Sequence, residues 1–271
     1  LGGADYMTTH FSNGVTNVIG KSGGTSLFSG IKQPLITGGT SPQEWALQDD
    51  FVTFSQTTEA PWTIIQTGSS YLLAQYPQGW LRIGDAAPAG GEINGIQSGA
   101  VFQINTNKKW YFETSIAVTD VTELNTFVGF GDNAYVNPVA LPDDGIGFSH
   151  LEDTTSIQFV SRKNGAGTSF TVLEAGSTFA QLDSTVATQS ATVYGMPDNS
   201  VRLGFLFQPA GSEPGVTADQ YTIYINGTVS GVQLATTIPD DLLMELKVMY
   251  ESKGTVTNDL FVDYVQTVQQ R

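Results

Sequence analysis

The chain has 271 residues, 40% of them hydrophobic, with 26 acidic residues against 11 basic ones and a formal net charge of −15. That apolar content fills a sizeable core and excludes wholesale disorder, while the scattered Lys and Arg form no basic stripe, so no nucleic-acid partner is expected. Cysteine is absent, which excludes disulfides and thiolate metal sites, and no apolar run reaches transmembrane length, so no membrane partner is expected.

Taken in chain order, residues 1–45 read as an extended N-terminal arm. Gly2-Gly3, Gly23-Gly24, Gly38-Gly39, Pro34 and Pro42 break it up, and its start, Leu1-Gly2-Gly3, has neither a basic nor an apolar leader pattern. The arm keeps single or paired anchors, Tyr6, Phe11, Val18, Ile19, Leu27, Phe28, Ile31, Leu35 and Ile36, each able to seat in a pocket of a neighbouring surface. Residues 46–271 read as one β-sandwich domain. Short strands are predicted near Trp62–Ile65, Tyr71–Ala74, Trp80–Ile83, Glu92–Gln97 and Val101–Ile104, separated by turn residues.

Clearer alternation follows. Trp110, Phe112, Thr114, Ile116 and Val118 share one face of a strand, with Tyr111, Glu113, Ser115 and Ala117 on the other. Further strands are predicted at Thr126–Phe130, Gly145–Phe148, Ser156–Arg162, Thr168–Leu173, Val201–Gln208, Gln220–Asn226, Met244–Tyr250 and Leu260–Val268. Lys163-Asn164-Gly165-Ala166-Gly167 reads as a hairpin-like turn, and Asn226-Gly227 is a two-residue turn signal, because both central positions of a type I′ turn need positive φ. Ile238–Leu242 reads as a single helical turn. Many short strands with polar turns predict an all-β, two-sheet antiparallel sandwich.

From about residue 46 onward the chain resembles the concanavalin A-like lectin/glucanase jelly roll. The resemblance lies in Lys109-Trp110-Tyr111-Phe112-Glu113, Phe127-Val128-Gly129-Phe130, Asp144-Gly145-Ile146-Gly147-Phe148, Tyr221 to Gly227 and the closing Leu260-Phe261-Val262-Asp263-Tyr264-Val265. The arm segment Thr8 to Asn17 ahead of a sandwich is also similar to virion structural proteins of tailed phages, in which such subunits decorate or cement the head.

A glucanase of this fold would carry paired carboxylates on one strand, because acid and nucleophile must flank one bond. No such spacing is present: Glu113 is followed on its face by Ser115 and Ala117, and Glu123 falls in a loop. Of the two histidines, His10 sits in the arm and His150 reads as a solvated loop residue near Glu152 and Asp153. No enzyme and no cofactor are therefore expected. Lectins of the family often bind calcium through loop oxygens, which makes Asp132, Asp143 and Asp144 the candidate ligands. Sugar binding needs exposed aromatics beside amides, and Tyr76, Trp80, Tyr135 and Asn137 are the candidates.

The expectation is a non-enzymatic decoration protein on the capsid exterior of a virion. Its partners would be the major capsid protein and neighbouring copies of itself in a homo-oligomer, held by the arm. The alternative is a carbohydrate-binding, lectin-like module adhering to glycans.

Overall fold

The computed structural model describes residues 44–49, 51, 62–67, 72–76, 80–85, 90–100, 102–119, 123–151, 156–173, 200–254 and 258–270. The arm anchors from Tyr6 to Ile36 lie outside the described residues, as does His10. In chain order the strands are β1 (Glu44–Asp49), β2 (Thr63–Gln66), β3 (Leu72–Tyr76), β4 (Trp80–Gly84), β5 (Glu92–Gln97), β6 (Trp110–Val118), β7 (Leu124–Gly131), β8 (Gly145–His150), β9 (Ile157–Lys163), β10 (Ala166–Leu173), β11 (Val201–Gln208), β12 (Gln220–Ile225), β13 (Thr228–Leu234), β14 (Glu245–Ser252) and β15 (Asp259–Gln270).

They form two antiparallel sheets. The eight-stranded sheet runs β13-β12-β11-β6-β15-β4-β3, and β1 also joins β15; the seven-stranded sheet runs β10-β9-β8-β7-β14-β5-β2. Strand β15 lies along β6 on one side. Its other side is shared, with β4 against Asp259–Val262 and β1 against Val265–Gln270. Among the described residues there is no helix, and the fold is the two-sheet antiparallel sandwich that the alternation predicts.

The inner faces meet in one aromatic core. Trp110, Phe112, Phe205 and Tyr221 come from the eight-stranded sheet, and Phe130, Phe148 and Phe159 from the other. Trp110 and Phe130 meet edge to face at 4.6 Å, and Phe159 lies 5.4 Å from Phe205. Each such ring removed from water contributes roughly 1.5–3 kcal/mol, so this layer is what fixes the two sheets together.

Local chemistry sets the register. Asn164 and Gly165 take φ of 52° and 73°, and Asn226 and Gly227 take 50° and 78°, giving two-residue turns that pair Lys163 with Ala166 and Ile225 with Thr228. Four elements differ from the sequence reading. Residues 238–242 form no helical turn: Asp240 N bonds back only two residues, to Ile238 O, as in a γ-turn. Of the predicted strand Val101–Ile104, the described residues 102–104 give only an isolated bridge, Phe102 to Met244, and strands β1 and β13 lie where none was predicted.

Candidate functional site

The outward face of the seven-stranded sheet carries a second apolar cluster of its own. Alternation along β14 points Leu246, Val248 and Tyr250 into the core, which leaves Glu245, Lys247, Met249 and Glu251 outward. Register then fixes the rows. Lys247 lies beside Gly129 on β7 and Gln97 on β5, and Gly129 continues to Gly147 on β8 and Val160 on β9. The next row is Glu245, Gly131, Gly145 and Arg162, and on the other side lie Met249, Phe127, Ser149 and Gln158.

Gly129, Gly131, Gly145 and Gly147 therefore adjoin one another on two neighbouring strands and leave a shallow trough. Side chains would obstruct it: a Cβ at Gly131 would meet the Tyr135 ring at 2.8 Å, and one at Gly147 would meet Phe127 at 3.1 Å. The β7–β8 connection, residues 132–144, lays Tyr135 into this trough. Its ring stands edge-on to Phe127 at 4.9 Å, and its hydroxyl donates to Ala140 O at 3.0 Å. Burial holds the phenol far above its ordinary pKa; nearby Arg162 opposes the shift and Asp132 adds to it.

Charge on this face is paired. Lys247 has a fully buried side chain, 2.8 Å from Glu245 Oε2 and donating to Gln97 Oε1 at 3.1 Å. Asn125 Nδ2 donates to Glu251 Oε2 at 2.8 Å. Ser149 Oγ is buried and has no hydrogen-bond partner among the described residues. Beyond these groups, Ser169 and Thr171 of β10 are exposed and Gln158 is half-buried, so that margin of the face offers neutral donors and acceptors. The tip of the 132–144 connection exposes Val136 (43%) and Val139 (37%) beside Asn137.

The predicted site residues do not assemble as one set. Tyr135 and Asn137 share the connection just described, but Tyr135 is buried and offers no open ring face, and Asn137 Oδ1 accepts from Val139 N at 2.9 Å. Trp80 lies on the outward face of the other sheet, buried against Ala117 and Phe261, so it is no sugar platform. Tyr76 falls in β3, and its side chain is outside the described residues.

The three calcium candidates close the base of the 132–144 connection instead of converging on an ion. Asp132 Oδ1 accepts from Tyr135 N at 2.7 Å, Asp144 Oδ1 from Asn164 N at 2.9 Å, and the Asp143 carbonyl from Gly165 N at 2.9 Å. Among the described residues no three His, Asp or Glu side chains stand together as a metal-holding group.

Glu113 and Glu123 fall in different settings. Glu113 is buried on the outward face of the eight-stranded sheet, where Tyr264 donates to it at 2.6 Å. That phenol is held well above its ordinary pKa, by burial first and then by Glu113. Glu123 acts through its carbonyl, which accepts from Lys253 N. His150 is no solvated loop residue. It is buried at the end of β8 with Nδ1 3.1 Å from Ser156 O, because the strand runs two residues further than predicted.

The sequence reading missed the outward row of β14. Its inward half was read correctly, and Glu245, Lys247 and Glu251 at alternate positions were there to be seen. Their burial depends on neighbours that one strand does not reveal.

No family model and no curated protein matches the chain. Solved structures do. A chain from work on endo-acting O-glycanases expressed by prominent members of the human gut microbiota to initiate mucin breakdown superposes with a TM-score of 0.52 at 11% identity, covering 83% of this chain and 99% of that one. The carbohydrate recognition domain of Emp46p in its potassium-bound form gives 0.51 at 9% identity, over 82% and 95%. The binding domain of botulinum neurotoxin DC in complex with rat synaptotagmin II gives 0.44 at 8% identity over 76% of this chain, which spans 42% of the neurotoxin domain's length. The first two superpositions define the fold class, a two-sheet jelly-roll sandwich.

Proposed function

We propose that the chain is a non-catalytic carbohydrate-binding module whose ligand lies along the outward margin of the seven-stranded sheet. The observation that carries this is the exposed tip of the 132–144 connection, where aliphatic Val136 and Val139 flank Asn137 on the face that also bears Gln158, Ser169 and Thr171. A neutral polyhydroxylated ligand needs that mixture: apolar patches for its C–H faces and uncharged hydrogen-bonding groups for its hydroxyls. The matched region of Emp46p, a carbohydrate recognition domain, supports the same reading.

Lack of catalysis is supported by spacing. On the outward face of β14 the carboxylates are Glu245 and Glu251, six residues apart on one strand, or about 20 Å. Glycoside hydrolysis needs separations of roughly 5–9.5 Å. Glu245 is moreover paired with Lys247.

The test is a glycan array followed by calorimetric titration of any hit. Asn137→Ala and Gln158→Ala are expected to weaken binding by about tenfold each, or ~1.4 kcal/mol, with unchanged far-ultraviolet dichroism. A wild-type protein that retains no glycan at millimolar concentration would overturn the proposal.

Capsid decoration is the second reading, favoured by the anchored arm composition of residues 1–45. That segment lies outside the described residues, and the fold likeness favours glycan binding. Removing residues 1–40 would separate the two: loss of particle binding with glycan binding intact supports decoration.

A further inference from the structure

Asn94-Gly95, Asn164-Gly165 and Asn226-Gly227 are the Asn-Gly pairs among the described residues, and they stand in unlike settings. Asn94 is completely buried inside β5. The other two pairs make the two-residue hairpin turns, with nearly the same positive φ angles and with both asparagines exposed. Such pairs carry a chemistry of their own. A glycine amide nitrogen, unhindered by a side chain, can attack the carboxamide of the asparagine before it.

The five-membered ring that this attack closes has a backbone requirement. The glycine nitrogen must swing to the side of the asparagine Cβ, at ψ of about −120° with positive φ, which is the first central position of a type II′ turn. Asn226 already has the φ, 50°. Only the peptide between Asn226 and Gly227 has to flip. Types I′ and II′ both close a two-residue hairpin, and glycine follows at either sign of φ.

Resistance to that flip differs between the two turns. Gly165 N donates to Asp143 O at 2.9 Å, Gly165 O accepts from Arg162 Nη2, and Asn164 N donates to Asp144 Oδ1 at 2.9 Å. The base of the 132–144 connection thus grips this turn from outside, and flipping its peptide breaks the bond to Asp143. Gly227 N donates to nothing among the described residues. Asn226 is held by Arg202 alone: its N donates to Arg202 O at 2.7 Å, and its Oδ1 accepts from Arg202 N at 2.9 Å. Neither bond involves the peptide that flips. The second sets an N–H on the oxygen where negative charge gathers during attack.

We propose that Asn226 is a deamidation site of the folded protein, selected over Asn164 by the free amide of Gly227. Gly227 N, its proton passed to a solvent base, bonds to Asn226 Cγ. The Cγ–Nδ2 bond breaks, and Nδ2 takes a proton from water and leaves as ammonia. Water then opens the succinimide. Cleavage between that nitrogen and Cγ leaves aspartate, and cleavage between it and the backbone carbonyl carbon leaves isoaspartate. Asparagine and water give an acid and ammonia, with nothing oxidised or reduced. Either product puts a new carboxylate at the turn between β12 and β13, and isoaspartate adds a methylene to the turn that sets their register. The site is separate from the sugar-binding margin and does not depend on it.

The test holds the full chain in mildly alkaline buffer, folded and in urea, and follows the amide-to-acid mass change after brief tryptic digestion. Cleavage after Lys163, Arg202 and Lys247 places Asn164 and Asn226 on separate peptides of one sample, and fragmentation separates Asn164 from Asn199. In the folded protein, conversion at Asn226 is expected to run about tenfold ahead of Asn164, the effect of roughly one hydrogen bond. The two rates should converge in urea. Equal rates in the folded protein, a faster Asn164, or a preference for Asn226 undiminished in urea would each overturn the proposal.

Discussion

Phe205 shows how much of the sandwich rests on single rings. It packs against Trp110, Phe112, Phe148, Phe159 and Tyr221, with centroids between 5.2 and 6.4 Å, and so joins both sheets. Phe205→Ala is expected to cost about 3–5 kcal/mol, because no neighbour in a layer of rigid rings can collapse into the space. Urea unfolding would show this as a lowered midpoint with an unchanged slope. Lys247 poses a different problem on the outward face. Its ammonium is wholly buried and answered by Glu245 and Gln97. Removing the cation alone strands a buried carboxylate, so Lys247→Met is expected to cost about 3–5 kcal/mol. The double variant Lys247→Met with Glu245→Leu should recover most of that loss, since an apolar pair of similar volume needs no desolvation. A double-mutant cycle in urea checks it, and additive losses would refute the pairing argument.

At the scale of elements, the β12–β13 hairpin shows what a sequence can and cannot disclose. The turn was legible, because Asn226-Gly227 is a chemical requirement for positive φ at both positions. Asn226 also accepts the Arg202 backbone N–H through Oδ1 at 2.9 Å. Asn226→Ala should therefore cost about 1–3 kcal/mol, from backbone strain and the lost bond, measurable as a lower denaturation midpoint. The strand that follows was not legible, because Thr228–Leu234 does not alternate cleanly. Its pairing explains why: Ile223 lies opposite Gly231 and Tyr224 opposite Val229, so Ser230 is an extra residue. The bulge puts Val229, Val232 and Leu234 on one face, a pattern neither period two nor helical. Strand β1 was hidden for another reason. Glu44–Asp49 pairs only with β15, and the boundary read between arm and sandwich at residues 45 and 46 falls inside it. Of the candidate site, the Tyr135–Asn137 connection was legible from its loop residues. The glycine trough beneath it was not, because it forms only when β7 and β8 lie side by side.

For the whole molecule, the two sheets bury polar groups as well as rings, and this sets the response to alkali. Tyr135, Tyr221, Tyr250 and Tyr264 all have phenols raised above their ordinary value, each chiefly by burial. In the unfolded chain the same groups titrate near ~10. Below that pH both states hold these protons and the groups contribute no pH dependence. Above it the unfolded chain alone releases them, so it binds fewer protons than the native state and stability falls as pH rises. The sign is the reverse of a salt-bridged carboxylate, whose contribution is lost on acidification. The chain contains 10 tyrosines. Absorbance at about 295 nm should thus show only part of that phenolate signal developing reversibly in the native protein, with the signal of these four released together with loss of near-ultraviolet dichroism. If every tyrosine instead ionised smoothly around pH ~10 with the dichroism intact, these phenols would have to be open to solvent, and the packing of Tyr135 into the glycine trough and of Tyr250 beside Asp259 would be wrong together.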